Sequence, residues 1–418
     1  MIKSTDKKLV VGLEVGASKI AALIGEILPE GIVNIIGIGT CPSRGIYKGC
    51  VNDVESLIKS IQIAIDQAET MANCHISSVY LALSGHDISC RNETGMALIS
   101  KEEVIQEDID NVVHTAKSVR MKGEHRILHV IPQEYAIDCQ TGIKNPLGLS
   151  GIRMKVNVHL ITCHNDIAKN FVKVVERCGL KVDQLIFSGL ASSYAVLTED
   201  ERKLGTCIID IGGGTIDMAV YTDGALRHTK VIPYAGNIIT NDIAYAFNTS
   251  ITEAEAIKIH YGCALGSMIN KDDYIEVPSI GGRPPRNLQQ QTLADIIELR
   301  YTELLSLVNK EIIQLQENLK DKGIKYHLAA GIILTGGAAQ INGLMACASQ
   351  VFHTHVRIGQ PLNITGLTDC VTQPYYSTAI GLLQYGKESY LSNAITTKKS
   401  TYLSTWFKCF TNWLKKEF

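Results

Sequence analysis

The chain has 418 residues, too many for one compact core, so two or more domains must each bury their own interior. Hydrophobic residues make up 45% and charged residues 20%, which excludes global disorder. Lys and Arg number 40 against 42 Asp and Glu, a net charge of −2, which speaks against a surface built for non-specific nucleic-acid binding.

In chain order, Lys8–Glu14, Ile20–Glu26 and Ile32–Gly39 are β-rich runs separated by glycine turns and predict a meander. A helix is expected from about Asn52 to Ala72, capped by Asn52 or Asp53, with Val54, Leu57, Ile58, Ile61 and Ile65 at helical spacing. Ile76–Ser84 reads as a buried strand. From about Gly85 to Thr162 the pattern changes to a strand, a helix near Glu102–Ser118 and two strands, Arg126–Asp138 and Ile152–Thr162. That is a small α+β module. A helix over Asp166–Gly179 and a strand over Lys181–Phe187 follow, so the chain is expected to leave its first domain, build an insertion and return.

The second half opens on Cys207–Tyr221, which contains Asp210, Gly212-Gly213-Gly214, Thr215 and Asp217. Set Asp210 on Glu14 and Gly212 falls on Gly16, an internal repeat at an offset of 210 − 14 = 196 residues. In both copies a strand ends in an acid, turns on glycine and returns. Helices over Gly236–Phe247 and Thr252–Tyr261, a polar loop at Gly281–Pro285 and a long helix from about Thr292 to Lys322 come next. Leu328–Val356 has no Lys, Arg, Asp or Glu, but its Gly336-Gly337 turn, Gln340, Asn342, Gln350 and histidines suit a strand, turn and helix better than a membrane span. Ser377–Gly386 is expected to return to the first domain as a helix.

Twelve cysteines are scattered, the closest pair being Cys41 and Cys50, so no CxxC or common zinc spacing exists. With no apparent signal peptide, they read as reduced, small buried hydrophobes of a cytoplasmic protein.

Glycines at a hairpin tip let backbone N–H groups approach an anion, because no Cβ intervenes. Gly212, Gly213 and Gly214 fit this role, Thr215 adds a hydroxyl, and Asp210 can orient water on Mg²⁺. The first copy offers Gly16, Ser18 and Lys19. Two such hairpins facing each other would clamp a polyphosphate across a cleft.

GLEVGASK (12–19), DIGGGTID (210–217) and GIILTGG (331–337) resemble the phosphate-1, phosphate-2 and adenosine motifs of the actin, heat-shock chaperone and sugar-kinase ATPase superfamily. MIKSTDKKLVVGLEVG, LSGHDISC, HVIPQEYAID, HLITCHND, CGLKVDQLIFSGLASSYAVL, HTKVIPYAGN and QPYYSTAIGLL resemble, over essentially the whole chain, the FtsA family of bacterial actin-like cell division proteins. The resemblance implies an α/β actin-like ATPase fold: two duplicated domains around a nucleotide cleft, an inserted α+β subdomain and a C-terminal amphipathic helix. Its subdomains would be 1A (1–84, 163–195 and 360–386), 1C (85–162), 2A (196–230 and 327–359) and 2B (231–326), followed by a linker (387–403) and a tail (404–418).

The resemblance further implies ATP and Mg as cofactors. Phosphates would lie against Gly16, Ser18, Gly212, Gly213, Gly214 and Thr215, and the adenosine turn falls on Gly336 and Gly337. Gly236 matches a phosphate-side turn, and Glu255 and Lys258 match the pair that approaches ribose and adenine. It implies binding of the FtsZ tail by 2B, where Arg283, Arg286 and Arg300 also read as ordinary solvated charges. Filament formation with other copies, contacts of 1C with later division proteins, and a peripheral place on the cytoplasmic face of the inner membrane at the septum follow from it too.

Two positions depart from the superfamily. Glu14 stands where Asp is usual, and Ser188 stands where hydrolysing relatives carry a water-orienting Glu. A hydroxyl activates water poorly, so hydrolysis is expected to be weak. A small-molecule kinase or a pilus-assembly actin homologue of the same superfamily is the alternative reading.

In Ser404–Phe418, Trp406, Phe407, Phe410, Trp413 and Leu414 share one helical face, flanked by Lys408, Lys415 and Lys416. Both tryptophans of the chain lie here, behind a polar linker. The pattern predicts a helix lying in the interface of an anionic membrane.

Overall fold

The computed structural model describes residues 8–391 apart from 48, 119–122, 271, 282, 322, 324 and 325. The expected tail helix, with its aromatic and lysine residues, lies outside the described residues. Two sheets form the body of the molecule. The first has six strands in the order Lys181–Phe187, Ser78–Leu83, Leu9–Val15, Lys19–Ile27, Val33–Pro42 and Ile364–Gly366. The second has five, Val356–Ile358, Ile332–Thr335, Thr206–Ile211, Ile216–Thr222 and Ala225–Ile232. Read in these directions, the five strands of the second sheet match the first five of the first. In each sheet the acid-bearing strand pairs antiparallel with its hairpin partner and parallel with the strand on its other side. The repeat in the sequence is thus a repeat of architecture.

Why the first domain holds its helices can be read from one of them. Val54–Ala72 starts at Asp53, whose side chain accepts from the N–H groups of Glu55 (3.1 Å) and Ser56 (3.2 Å), satisfying two otherwise unpaired donors. The helix buries Leu57, Ile58, Ile61, Ala64, Ile65 and Ala68 against the sheet. Each large side chain contributes roughly 1.5–3 kcal/mol. The helix lies so close to the strand below it that a Cβ at Gly39 would collide with the carbonyl of Ala64, so glycine is required there.

The insertion forms its own four-stranded antiparallel sheet, Ser89–Leu98, Arg153–His164, His125–Ile137 and Gln140–Ile143, covered by the helix Gln106–Lys117. Val104, Val112, Met154, Val156, Val158 and Leu160 are in its separate core. Although rooted in the first domain, the module reaches the edge strand Ala225–Ile232 of the second. Cys90 Sγ donates to the Thr229 carbonyl (3.0 Å), Asn92 to the Arg227 carbonyl (3.1 Å) and Gln133 to the Leu226 carbonyl (2.6 Å). His159 Nε2 lies 3.0 Å from Thr229 Oγ1.

Some expectations shift. The polar Gly281–Pro285 stretch falls between two short paired strands, Tyr274–Val277 and Arg286–Gln289, each only four residues long. The last helix spans residues 377–391 and so occupies the start of the stretch expected as linker. Among the described cysteines none is disulfide-bonded; Cys163, Cys207, Cys263 and Cys347 are buried as expected, whereas Cys139 and Cys370 are exposed. Arg300 is not a free solvated charge: it pairs with Asp242 and Glu303, each at 2.6 Å. Among the described residues, no helix is long and apolar enough to cross a membrane.

Candidate functional site

Both glycine hairpins close with the same bond. Gly16 N–H donates to the Lys19 carbonyl at 2.9 Å, and Gly212 N–H to the Thr215 carbonyl at 3.0 Å. The tips face each other across the gap between the two sheets. A Cβ on Gly213 would collide with Ser18 Oγ, and Ser18 donates to Asn237 Oδ1 at 3.0 Å. The helix Gly236–Phe247 starts on the second tip: Gly236 N–H donates to the Gly212 carbonyl (3.1 Å) and Asn237 N–H to the Gly213 carbonyl (2.8 Å). These bonds engage the carbonyls of Gly212 and Gly213; with Gly212 N–H closing the turn, the N–H groups of Gly213 and Gly214 are the ones that suit an anion.

The third wall is the turn after Ile332–Thr335. Gly336 adopts φ +91°, a left-handed conformation, and a Cβ there would strike Asp210 and the Ile211 carbonyl. From the helix Ile251–Tyr261, Glu255 and Lys258 form an ion pair at 2.7 Å, and Lys258 also donates to Thr240 (2.7 Å) and to the Gly236 carbonyl (3.2 Å). Together these elements enclose a cleft of about 370 Å³. Every candidate nucleotide residue lines it: Glu14, Gly16, Ser18, Lys19, Asp210, Gly212, Gly213, Gly214, Thr215, Gly236, Glu255, Lys258, Gly336 and Gly337. The volume is that of a site for a small organic ligand. Ser188 also lines the cleft, as the first residue of the helix Ser188–Val196.

Three buried carboxyls define the electrostatics. Burial pushes Glu14 up, and the Lys19 ammonium at 3.1 Å pulls it back. Lys19 also donates to the Tyr375 carbonyl and lies 3.7 Å from the centre of the Tyr375 ring. It lines the cleft, but its ammonium is engaged by Glu14 and Tyr375. Burial likewise raises Asp210, opposed by hydrogen bonds from Ser192 and from Thr378 (3.0 Å). Asp217 is held well above the usual carboxylate range, first by burial and then by the charge of Asp210. Ser84 donates to it at 2.5 Å.

Asp217, Ser84, Ser192, Asn237, Tyr375 and Thr378 were not singled out from sequence. Asp217 was within reach: a hairpin that turns about Gly213-Gly214 places residue 217 opposite residue 210, as the register shows. The others come from distant segments and carry no local signal.

The cell division protein FtsA of Escherichia coli K12 is 71% identical over 420 residues, covering 100% of both chains. The chain belongs to the FtsA family. FtsA of Pseudomonas aeruginosa is 47% identical over 379 residues, covering 91% of this chain and 89% of its own. The family model "Cell division protein FtsA" matches residues 207–381, and "SHS2 domain inserted in FTSA" matches residues 85–162, the span of the inserted module. Among solved structures, a PilM–PilN type IV pilus biogenesis complex shares the fold at TM-score 0.63 and 16% identity, over 90% of this chain and 98% of that one. MreB5 of Spiroplasma citri bound to ADP does so at 0.54 and 14%, over 94% and 99%. This chain of the FtsA family is thus a cell division protein on an actin-like fold.

Proposed function

We propose that this FtsA-family chain binds ATP with magnesium in the cleft, assembles into filaments with copies of itself, and tethers the FtsZ ring to the membrane. The observation that carries the nucleotide reading is the convergence of both glycine tips, the Gly336 turn and three buried carboxyls on one cleft. The residues fit the ligand. Two glycine tips packed so closely that a Cβ on Gly213 or Gly214 would strike the opposing hairpin suit a polyphosphate, and three buried acids with one engaged lysine suit a divalent cation held through water.

Gly16, Ser18, Gly212, Gly213, Gly214 and Thr215 would cradle the phosphates, Asp210 would position water on the cation, and Gly336, Gly337, Glu255 and Lys258 would flank the nucleoside. The cation, when bound, neutralises phosphate charge. Ser188 is a weak water-activating group, so the nucleotide acts as an assembly signal more than as a substrate. The subdomain scheme assigns the 231–326 region to the acidic-hydrophobic FtsZ tail and the inserted module to neighbouring subunits or later division proteins. Ser404–Phe418 serves as a reversible anchor on the cytoplasmic face of the inner membrane, strengthened when many tails act together on one filament.

The test is co-sedimentation of the full chain with anionic vesicles and an FtsZ tail peptide, with and without Mg-ATP. Pelleting that requires Ser404–Phe418 and rises with Mg-ATP is expected. Equal pelleting after removal of the tail overturns the anchor, and turnover of about 1–10³ s⁻¹ or more overturns the weak hydrolysis.

A further inference from the structure

The sequence holds no cysteine pair at zinc spacing, yet the fold assembles a mixed donor set from two separate segments. Cys50 lies on the short strand Cys50–Val51, which pairs with Ile46–Tyr47. His86 and Asp87 lie in the turn between Ser78–Leu83 and the first strand of the inserted module, closed by Ile88 N–H donating to the Gly85 carbonyl at 3.1 Å. The backbones meet at two glycines: a Cβ on Gly49 would lie 2.7 Å from Gly85 Cα. This contact brings the Cys50 thiol, the His86 imidazole and the Asp87 carboxylate within 4.8 Å of one another.

We propose that Cys50, His86 and Asp87 form a three-residue site for a zinc-class divalent cation, with water in the remaining position. Two further observations point to a cation. The Oδ2 atom of Asp87 is withdrawn from solvent and accepts no hydrogen bond, and its ion-pair neighbour is His86, another member of the group. It stands 3.3 Å from His86 Nε2, close to the ~3.4 Å edge that two bonds of about 2.0–2.1 Å subtend in a tetrahedral zinc site. Thiol, imidazole and carboxylate are a donor mixture zinc accepts, whereas magnesium and calcium call for oxygen ligands throughout. His86 is half-exposed, which leaves an entry path and room for the water. A second cluster, Glu124, His164 and Asp166, lacks these features. Its histidine already faces Glu124 through one ring nitrogen and accepts from the Asp166 N–H through the other.

The position gives the ion a role. Ile46 and Gly49 on one segment and Ser84 at the end of the other line the cleft. Ser84 in turn bonds Asp217 at 2.5 Å and lies 3.0 Å from Thr215 Oγ1. An ion on Cys50, His86 and Asp87 therefore staples the 46–51 hairpin to the segment that supports the second glycine hairpin and opens the inserted module.

The experiment uses the full-length protein, stripped with a chelator and titrated with Co²⁺ and then Zn²⁺. One equivalent of Co²⁺ is expected to produce a thiolate-to-cobalt charge-transfer band, which one equivalent of Zn²⁺ abolishes. Cys50→Ser should lose the band while keeping the far-ultraviolet dichroism of the parent. His86→Gln, at an exposed position, should bind at least about tenfold more weakly. Cys163→Ser should keep the band. No band in the parent protein, a band that survives in Cys50→Ser, or unchanged affinity in His86→Gln overturns the site. None of these readouts depends on nucleotide binding.

Discussion

In the first glycine hairpin Glu14 sits opposite Ala21 and is neutralised by Lys19; in the second, Asp210 sits opposite Asp217, and Thr215 occupies the place of the lysine. The backbones turn with the same Gly-to-carbonyl bond, and what sets them apart most clearly is charge. Two carboxyls directly across a strand pair repel each other, and burial strengthens that repulsion. In the second, burial and the charge of Asp210 raise Asp217, while hydrogen bonds from Ser192 and Thr378 and the charge of Lys19 act on Asp210. Duplication supplied the frame, and the two copies differ in charge: one pairs its acid with a lysine, the other sets two acids across from each other.

The largest effect expected from this contrast is at Lys19. Lys19→Met leaves Glu14 buried without its partner and should cost about 3–5 kcal/mol in urea unfolding. A loss well below 1 kcal/mol would mean that solvent screens the pair. Next is Asp210→Ala, which should weaken ATP binding at least about tenfold with magnesium, or ~1.4 kcal/mol, and much less without it. Calorimetry in both conditions decides; an equal loss in both would assign Asp210 to the frame.

Asp217→Asn should act in the opposite direction. Its carboxyl keeps a proton to higher pH when folded than the ordinary value of 3.8. The folded state therefore holds more protons as pH rises above 3.8, and stability falls through that window. The variant should melt higher than the parent near pH 7 without magnesium, and the gain should fade toward pH 4. A gain that is the same at both pH values would break the link to ionisation. The smallest effect is the comparison of Gly16→Ala with Gly212→Ala. The new Cβ would lie 3.0 Å from the Lys19 carbonyl in one and 3.2 Å from the Thr215 carbonyl in the other. Each should cost about 1–1.5 kcal/mol, and nearly the same amount, in urea unfolding. Clearly unequal costs would show that the two turns are not mechanically equivalent.

The two hairpins, the inserted module and the Gly336 turn were legible from the sequence because each is a local pattern: apolar runs broken by glycine, repeated at a fixed offset. Asp53 as a helix cap was legible for the same reason. The direction of Lys19 was not, since its ammonium is claimed by Tyr375, 375 − 19 = 356 residues away. Ser192 and Thr378, which hold Asp210, come from two further segments and have ordinary helical surroundings. The Cys50, His86 and Asp87 group was invisible for a related reason, because only the contact of Gly49 with Gly85 brings its members together. The strands Tyr274–Val277 and Arg286–Gln289 escaped because each is only four residues long, too short for the alternation of Ile275 and Val277 to stand out.

The side-chain bonds from the inserted module to the strand Ala225–Ile232 limit how the molecule can breathe. The module enters and leaves the chain from the first domain, yet Cys90, Asn92 and Gln133 grip carbonyls of the second. It therefore bridges the two jaws of the cleft on the outside, like a tie-bar across a hinge. A swing that parts the glycine tips must either shear these bonds and the contact of His159 with Thr229 together, or carry the module along and bend the chain at its roots, near residues 84–88 and 164–165. In the second case a small rotation at the cleft becomes a larger displacement at the far end of the module. Any neighbour docked there would register the state of the cleft as a change of position, without touching the ligand inside it.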